Sequence, residues 1–121
     1  MIMPQEMDVW YLLPALRREL SRILVVEESV KQKDIARILG ITTAAVSQYL
    51  SGKRGTDLTF TPPEITVIHS FAKKMLENPS LVMQYMVELS IELKKSGSLC
   101  ALHKSLDSSI SESCTICKQR K

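Results

Sequence analysis

Apolar residues recur at three- and four-residue intervals along most of this chain, and nothing alternates with period two over a useful length. From Gln5 to about Val26 the apolar positions are Val9, Trp10, Leu13, Leu16, Leu20, Ile23 and Leu24, the spacing of an amphipathic helix. Pro4 stands at its start, where a missing N–H costs nothing. Pro14 falls inside it and should kink it or divide it in two. The pattern breaks at Glu27–Val30, and two short helices follow, Gln32–Leu39 and Thr43–Ser51, separated by Gly40-Ile41-Thr42. Residues 55–62 lack periodicity and read as a connector. A further helix should start near Pro63 and run to Leu76, burying Ile65, Ile68, Phe71, Ala72 and Met75. Asn78-Pro79-Ser80 should end it and cap the next, about Leu81 to Lys95, with Tyr85, Met86, Leu89 and Leu93 on one face. The chain is therefore expected to be all-α: a compact helical bundle over 1–96, then a boundary at Ser96-Gly97-Ser98 and a polar, serine-rich tail over 97–121.

The stretch 32–52 carries a more demanding pattern. Two helices that cross steeply through a tight turn need a small residue where they touch, and Ala36 is there. Four places later Gly40 supplies a residue that tolerates positive φ, and six places after that Val46 can anchor the second helix in the core. Ile35, Leu39, Ile41 and Tyr49 fill the other inward positions, and Thr42 is placed to cap the second helix. Thr43, Ala44, Ser47 and Gln48 are left on the outer face. In a helix-turn-helix that face enters the major groove, where Gln48 can pair bidentately with adenine and Thr43 and Ala44 can meet a thymine methyl or a base edge. Gln32 would offer its side chain and backbone N–H to a phosphate, and Lys53 and Arg54 would extend the grip.

Charge changes this picture through its distribution. The net charge is only +3. Between Lys31 and Arg54, however, five cations (Lys31, Lys33, Arg37, Lys53, Arg54) face the single anion Asp34, whereas the first thirty residues hold five carboxylates against three arginines. Such asymmetry orients a protein on a polyanion.

On Gln32, Ala36, Gly40, Val46-Ser47, Tyr49 and Gly52-Lys53-Arg54, the chain resembles the Cro/repressor (xenobiotic-response-element-like) helix-turn-helix regulators, over roughly residues 20–76. The resemblance implies a bundle of four or five helices working as a homodimer on a palindromic site. It also implies DNA contacts from Gln32, Thr43, Ala44 and Gln48 and backbone contacts from Lys53 and Arg54. The opening from Pro4-Gln5-Glu6 through Trp10-Tyr11 and Leu13-Pro14-Ala15 looks like a group of small archaeal predicted regulators. The long Trp-bearing first helix is larger than the family core needs, and could serve dimerisation or packing.

The tail adds Cys100-Ala-Leu-His103 and, ten residues on, Cys114-Thr-Ile-Cys117. Two short ligand pairs separated by a loop suit a four-coordinate metal, each pair giving two ligands from one turn. Thiolate and imidazole fit zinc and iron–sulfur chemistry alike. Because a DNA-binding domain without an obvious ligand pocket still needs something to sense, the iron–sulfur cluster is favoured over zinc. The tail also lacks the apolar residues to order itself, and a structural metal would supply about 10 kcal/mol towards its folding. His69 lies mid-helix with no partner in sequence.

Three cysteines in a short chain argue against a disulfide framework. No apolar run approaches the roughly 20 residues needed to cross a bilayer, and Pro4, Glu6 and Asp8 stand where a secretory signal would be cationic and then apolar. A cytoplasmic location is expected, with no membrane partner. Cys114-x-x-Cys117 lacks the strand-and-helix context of a redox enzyme, and no nucleophile–base set or phosphate loop is visible, so no enzyme is expected. The sequence thus points to a sequence-specific DNA-binding regulator responsive to redox or metal status. A helical protein-interaction adaptor with a purely structural zinc is the alternative.

Overall fold

The chain winds around one long helical segment that the sequence pattern places correctly but phases wrongly in its first two turns. The structure is a computed structural model that describes residues 1–111, 113, 114 and 116. The first segment runs as α1 (Pro4–Met7), a π-helical turn (Asp8–Leu12) and α2 (Leu13–Val26), without a break. Pro14 explains the π turn. A proline ring clashes with the carbonyl one helical turn back and cannot donate to it. Here the turn before it widens, and the Leu13 N–H donates to Asp8 O, five residues back. The extra residue in that turn shifts the buried face. Val9 and Trp10, expected inside, are 60% and 53% exposed, while Met7, Leu12 and Ala15 are buried instead. Beyond the turn the expected register returns, with Leu16, Leu20, Ile23 and Leu24 all at 0% exposure.

After a left-handed residue at Ser29 come α3 (Gln32–Leu39) and α4 (Thr43–Leu50), then α5 (Pro62–Glu77), a 3-10 turn (Pro79–Leu81), α6 (Val82–Ser96) and α7 (Ser98–Leu106). Among the described residues there is no strand, and no helix is long and apolar enough to cross a membrane. Helix α2 is the hub: α3, α4 and α5 pack on it, α6 packs on α5, and α7 on α6. The core joins Leu12, Leu16, Leu20 and Leu24 of the first segment to Ile35, Val46, Ile68, Met75, Leu89 and Leu93. His69 does find a partner, Glu27 Oε2 at 2.8 Å, which ties α5 to the end of α2.

Two termini differ from expectation. Neither Asn78 nor Ser80 caps α6 through its side chain; Leu81 N–H instead donates to Asn78 O at 3.0 Å, and the 3-10 turn leads into the helix. The boundary at Ser96-Gly97-Ser98 is a sharp turn on Gly97 (φ 105°), and the chain beyond it forms α7 rather than an unstructured tail. Its order comes from Leu99 in the core and Leu102 packed against it.

A buried carboxylate holds this turn. Glu64, in the first turn of α5, accepts from Thr61 N–H at 2.8 Å and Thr61 Oγ1 at 3.0 Å, closing a capping box. It also accepts from the hydroxyls of Ser96 and Ser98, which flank Gly97. Burial pushes the Glu64 pKa up, but the donors from Ser96, Ser98 and Thr61 together outweigh it and leave the carboxyl below its ordinary value.

Candidate nucleic-acid interface and cysteine cavity

The two helices α3 and α4 meet through Gly40, whose φ of 67° and ψ of 35° place it in the left-handed region. Ile41 N–H then donates to Ala36 O at 3.0 Å, closing the end of α3. Ala36 is buried at the crossing, and Ile35, Val46 and Tyr49 are buried beside it. Thr42 Oγ1 accepts from Ala45 N–H at 3.0 Å, the cap expected of it. Removing that oxygen in Thr42→Ala is expected to cost about 1 kcal/mol, measured by chemical denaturation.

The geometry leaves Thr43, Ala44 and Ser47 exposed and Gln48 half-buried on the outward face of α4. Gln32 is exposed at the first turn of α3, where Lys31 supplies no side-chain cap, so its N–H points out of the helix start. At the other end of α4, Gly52 (φ 79°) reverses the chain, and Lys53 N–H donates to Gln48 O at 2.9 Å. One turn thereby fixes the backbone of Lys53 to that of Gln48. The side chains of Lys53 and Arg54 are exposed, as are Lys31, Lys33 and Arg37. Arg37 reaches Asp34 at 3.6 Å, an exposed pair too weak to cancel its charge towards a polyanion.

Behind Arg54 the loop is seated on the first segment. A Cβ on Gly55 (φ 75°) would overlap the Pro14 carbonyl oxygen and lie 2.9 Å from its carbon and 3.1 Å from Arg18 Cβ. The loop that carries the two cations thus rests directly on α2.

The cysteines lie on another part of the molecule. Cys100, His103 and Cys114 line one cavity of about 520 Å³, together with the chain start from Met1 to Gln5, Ile110 and Ile116. Cys100 and Cys114 are free and half-buried. Cys117, the fourth ligand expected from the spacing, lies outside the described residues. Among the described residues no three His, Cys, Asp or Glu side chains converge on a point that one ion could occupy.

His103 is buried, and its Nε2 sits 2.6 Å from Ile2 O. A carbonyl can only accept, so Nε2 carries the proton, and in the neutral ring Nδ1 keeps its lone pair. On the same residue, Ile2 N–H donates to Asp107 Oδ2 at 2.6 Å. The end of α7 therefore grips both backbone polar groups of a single residue, Ile2, at the chain start. Hydrogen bonds from the Ser109 hydroxyl, the Ile2 N–H and the Ser109 N–H hold the Asp107 pKa down to about 2. A carboxylate with a depressed folded-state pKa stabilises fully above its unfolded value and loses that contribution as pH falls through the folded one. Protection of the Ile2 amide, as exchange relative to its intrinsic rate at each pH, is accordingly expected to fall between about pH 4 and pH 2.

No family model, curated protein or solved structure matches the chain.

The pattern of residues did not disclose the Glu64 knot or the grip on Ile2. The first had a readable signal, Thr61-Pro-Pro-Glu64, the S/T-x-x-E form of a capping box. The second joins residues 101 positions apart and has no local signature.

Proposed function

We propose that this chain is a sequence-specific transcription regulator that binds double-stranded DNA, as a homodimer, through the helix-turn-helix at 32–52. The observation that carries the reading is the outward face of α4. Gln48 stands on it, and the two cations Lys53 and Arg54 follow on a loop whose backbone is pinned to Gln48 and seated on α2. A base-reading side chain and phosphate-binding side chains on one rigid unit is what register on a duplex requires. The role of Thr43, Ala44 and Ser47 is contact with base edges or methyl groups, and that of Gln32 is a phosphate at the start of α3. The small residues Ala44 and Ala45 offer little base-specific chemistry, so much of the affinity rests on phosphate contacts and falls steeply with salt.

The test starts by selecting binding sequences from a random duplex library and measuring anisotropy over a salt series. Lys53→Ala with Arg54→Ala is expected to weaken binding about 10- to 100-fold on every duplex, and to reduce the salt slope by about two per protomer. Gln48→Ala is expected to cost about 1–3 kcal/mol on the selected site and almost nothing on random duplex. Absence of salt-dependent binding by the intact chain would overturn the reading in favour of an adaptor.

The same reading makes the region around Cys100, His103, Cys114 and Cys117 a centre responsive to redox or metal status. Its donors, thiolate and imidazole, suit an iron–sulfur cluster, which we favour, and zinc. Anaerobically purified protein is expected to carry iron and sulfide, with visible absorption from thiolate-to-iron charge transfer. About one zinc per chain and no colour would assign a structural metal instead.

A further inference from the structure

We propose that the cavity at the chain start binds an uncharged aromatic alcohol, whose ring packs against the N-terminal segment and whose hydroxyl donates to His103 Nδ1, and that this ligand is an effector of the DNA-binding face. The site itself requires no metal and no DNA; only the effector role rests on the regulator reading.

Size and lining carry the argument. The cavity holds about 520 Å³, within the range of roughly 300–1,000 Å³ usual for small-molecule sites. Its walls are mostly carbon and sulfur: Met1, Ile2 and Met3 from the chain start, Ile110 from the tail, and the thiols of Cys100 and Cys114. Such a lining offers little to a sugar or a nucleotide. Thioether and thiol sulfurs are polarisable and make favourable contacts with aromatic rings, and methionine adapts its shape to what it covers.

One buried side chain gives the ligand its polarity. His103 borders the cavity, and its Nε2–H is already engaged by the Ile2 carbonyl. In the neutral ring Nδ1 is then an acceptor. Among the described residues the side-chain atoms sealed away without a partner are Asp8 Oδ1 and Ser21 Oγ, and His103 Nδ1 is not one of them. A molecule that meets the ring from the cavity must therefore donate, which a hydroxyl does and an ether does not. Lys104 also borders the cavity but has an interaction of its own, which an anionic ligand would have to displace.

The route to the DNA-binding face is the first helical segment. The chain start that walls the cavity continues without a break through α1 and the π turn into α2. There Pro14 and Arg18 seat the loop at Gly55, next to Lys53 and Arg54. A ligand that favours one arrangement of the chain start biases the element on which those cations rest, to the extent that it binds that arrangement more tightly.

1-Naphthol, a fused aromatic ring with one hydroxyl, is a suitable probe. Calorimetric titration of the full chain is expected to give a dissociation constant on the order of 100 μM, from about 0.5 kcal/mol per heavy atom. 1-Methoxynaphthalene keeps the ring but cannot donate, and is expected to bind about 10-fold more weakly because the His103 acceptor is left unpaired. Cys100 and Cys114 report the location. At about ten times the dissociation constant, 1-naphthol is expected to slow their alkylation by iodoacetamide about 10-fold, by simple occupancy. Ile110→Trp, shown to be folded by circular dichroism, is expected to fill the cavity and lose the probe; should it fail to fold, the alkylation rates decide. Equal binding of the methoxy compound would overturn the role of His103. Tighter binding of 1-naphthoate would assign the cavity to an anion on Lys104. No binding, or binding that leaves both thiols unprotected, would overturn the site. In the anisotropy assay, saturating 1-naphthol is expected to change duplex affinity several-fold. Unchanged affinity with protected thiols would overturn the effector role alone, and a chain that binds no DNA would sink the regulator reading while the calorimetry still decides the site.

Discussion

Glu64→Ala is expected to destabilise the protein by about 2–4 kcal/mol, and to lower the midpoint of thermal unfolding by roughly 10 °C. The carboxylate satisfies the Thr61 N–H and the hydroxyls of Thr61, Ser96 and Ser98, at a site where it is only 4% exposed. Alanine removes a charged acceptor shared by the Thr61 cap and Ser98, while Ser96 keeps Leu93 O at 2.7 Å; losing hydrogen bonds to a charged group costs about 1.5–3 kcal/mol each. Glu64→Gln keeps one acceptor oxygen and should cost distinctly less. The pH dependence has a definite sign. The folded-state pKa of Glu64 is depressed, so its contribution is complete above the unfolded value of about 4.3 and is lost as pH falls through the folded one. The gap between wild type and Glu64→Gln should therefore narrow in acid. Equal stability of wild type and Glu64→Ala near neutral pH would show that Ser96 and Ser98 find other partners, and that the turn on Gly97 does not depend on this knot.

The second large effect belongs to Gly55. Alanine at this position faces two penalties: a left-handed backbone, about 1 kcal/mol, and a methyl group driven into the Pro14 carbonyl and Arg18, about 1–3 kcal/mol. Together they amount to about 2–4 kcal/mol. Gly52 provides the control. It has a similar φ of 79° and nothing within 4 Å of the added carbon, so Gly52→Ala should cost only the backbone share. Denaturant titration of the pair separates the two penalties. Matching costs would mean that the loop does not rest on the first helical segment. A loop pushed off α2 would also move Lys53 and Arg54 relative to α4, so under the proposed function Gly55→Ala should lose DNA affinity beyond what its stability explains.

The parts of this architecture that could be read from the sequence are those fixed within a few residues. Ala36, Gly40, Thr42 and Val46 each answer a local steric or hydrogen-bonding demand of the turn between α3 and α4, and the observed helix limits, the left-handed Gly40 and the Thr42 cap follow from them. The bundle as a whole was legible for the same reason, since α5 and α6 bury most of the faces their spacing marks out; Ile65, expected inside, is only half-buried and stands outside the core, while Glu64 beside it is buried. Pro14 was different. A proline inside a helical pattern permits a kink, a break or a widened turn, and the choice depends on what packs against it. The widened turn turned Val9 and Trp10 outward and Met7 inward, which a uniform 3.6-residue period cannot express. The tail was misjudged on composition over 98–106, the part that forms α7. Its few apolar residues include Leu99 and Leu102, and these suffice because α6 already presents them a surface. At the candidate site, Gln32, Thr43, Ala44, Ser47, Gln48, Lys53 and Arg54 stand on the exposed side of the motif as their spacing implies. Cys100, His103 and Cys114 were legible as a group, but their common wall was not, because it is built from the opposite end of the chain.

The outward turn of Trp10 has a practical consequence in spectroscopy. It is the single tryptophan of the chain, and it sits on the π turn close to Asp8, whose carboxylate is held by Lys94 of α6 at 2.6 Å. Val9 on the same turn, and Met83 and Val87 on α6, are exposed apolar neighbours of that ion pair's two elements. Indole emission therefore reports on the outward face of the π turn. A monomer in dilute solution should emit at long wavelength, as a hydrated indole does. If two copies of the chain meet across this face, the emission should move to the blue as concentration rises, in an unlabelled protein and without any engineered probe.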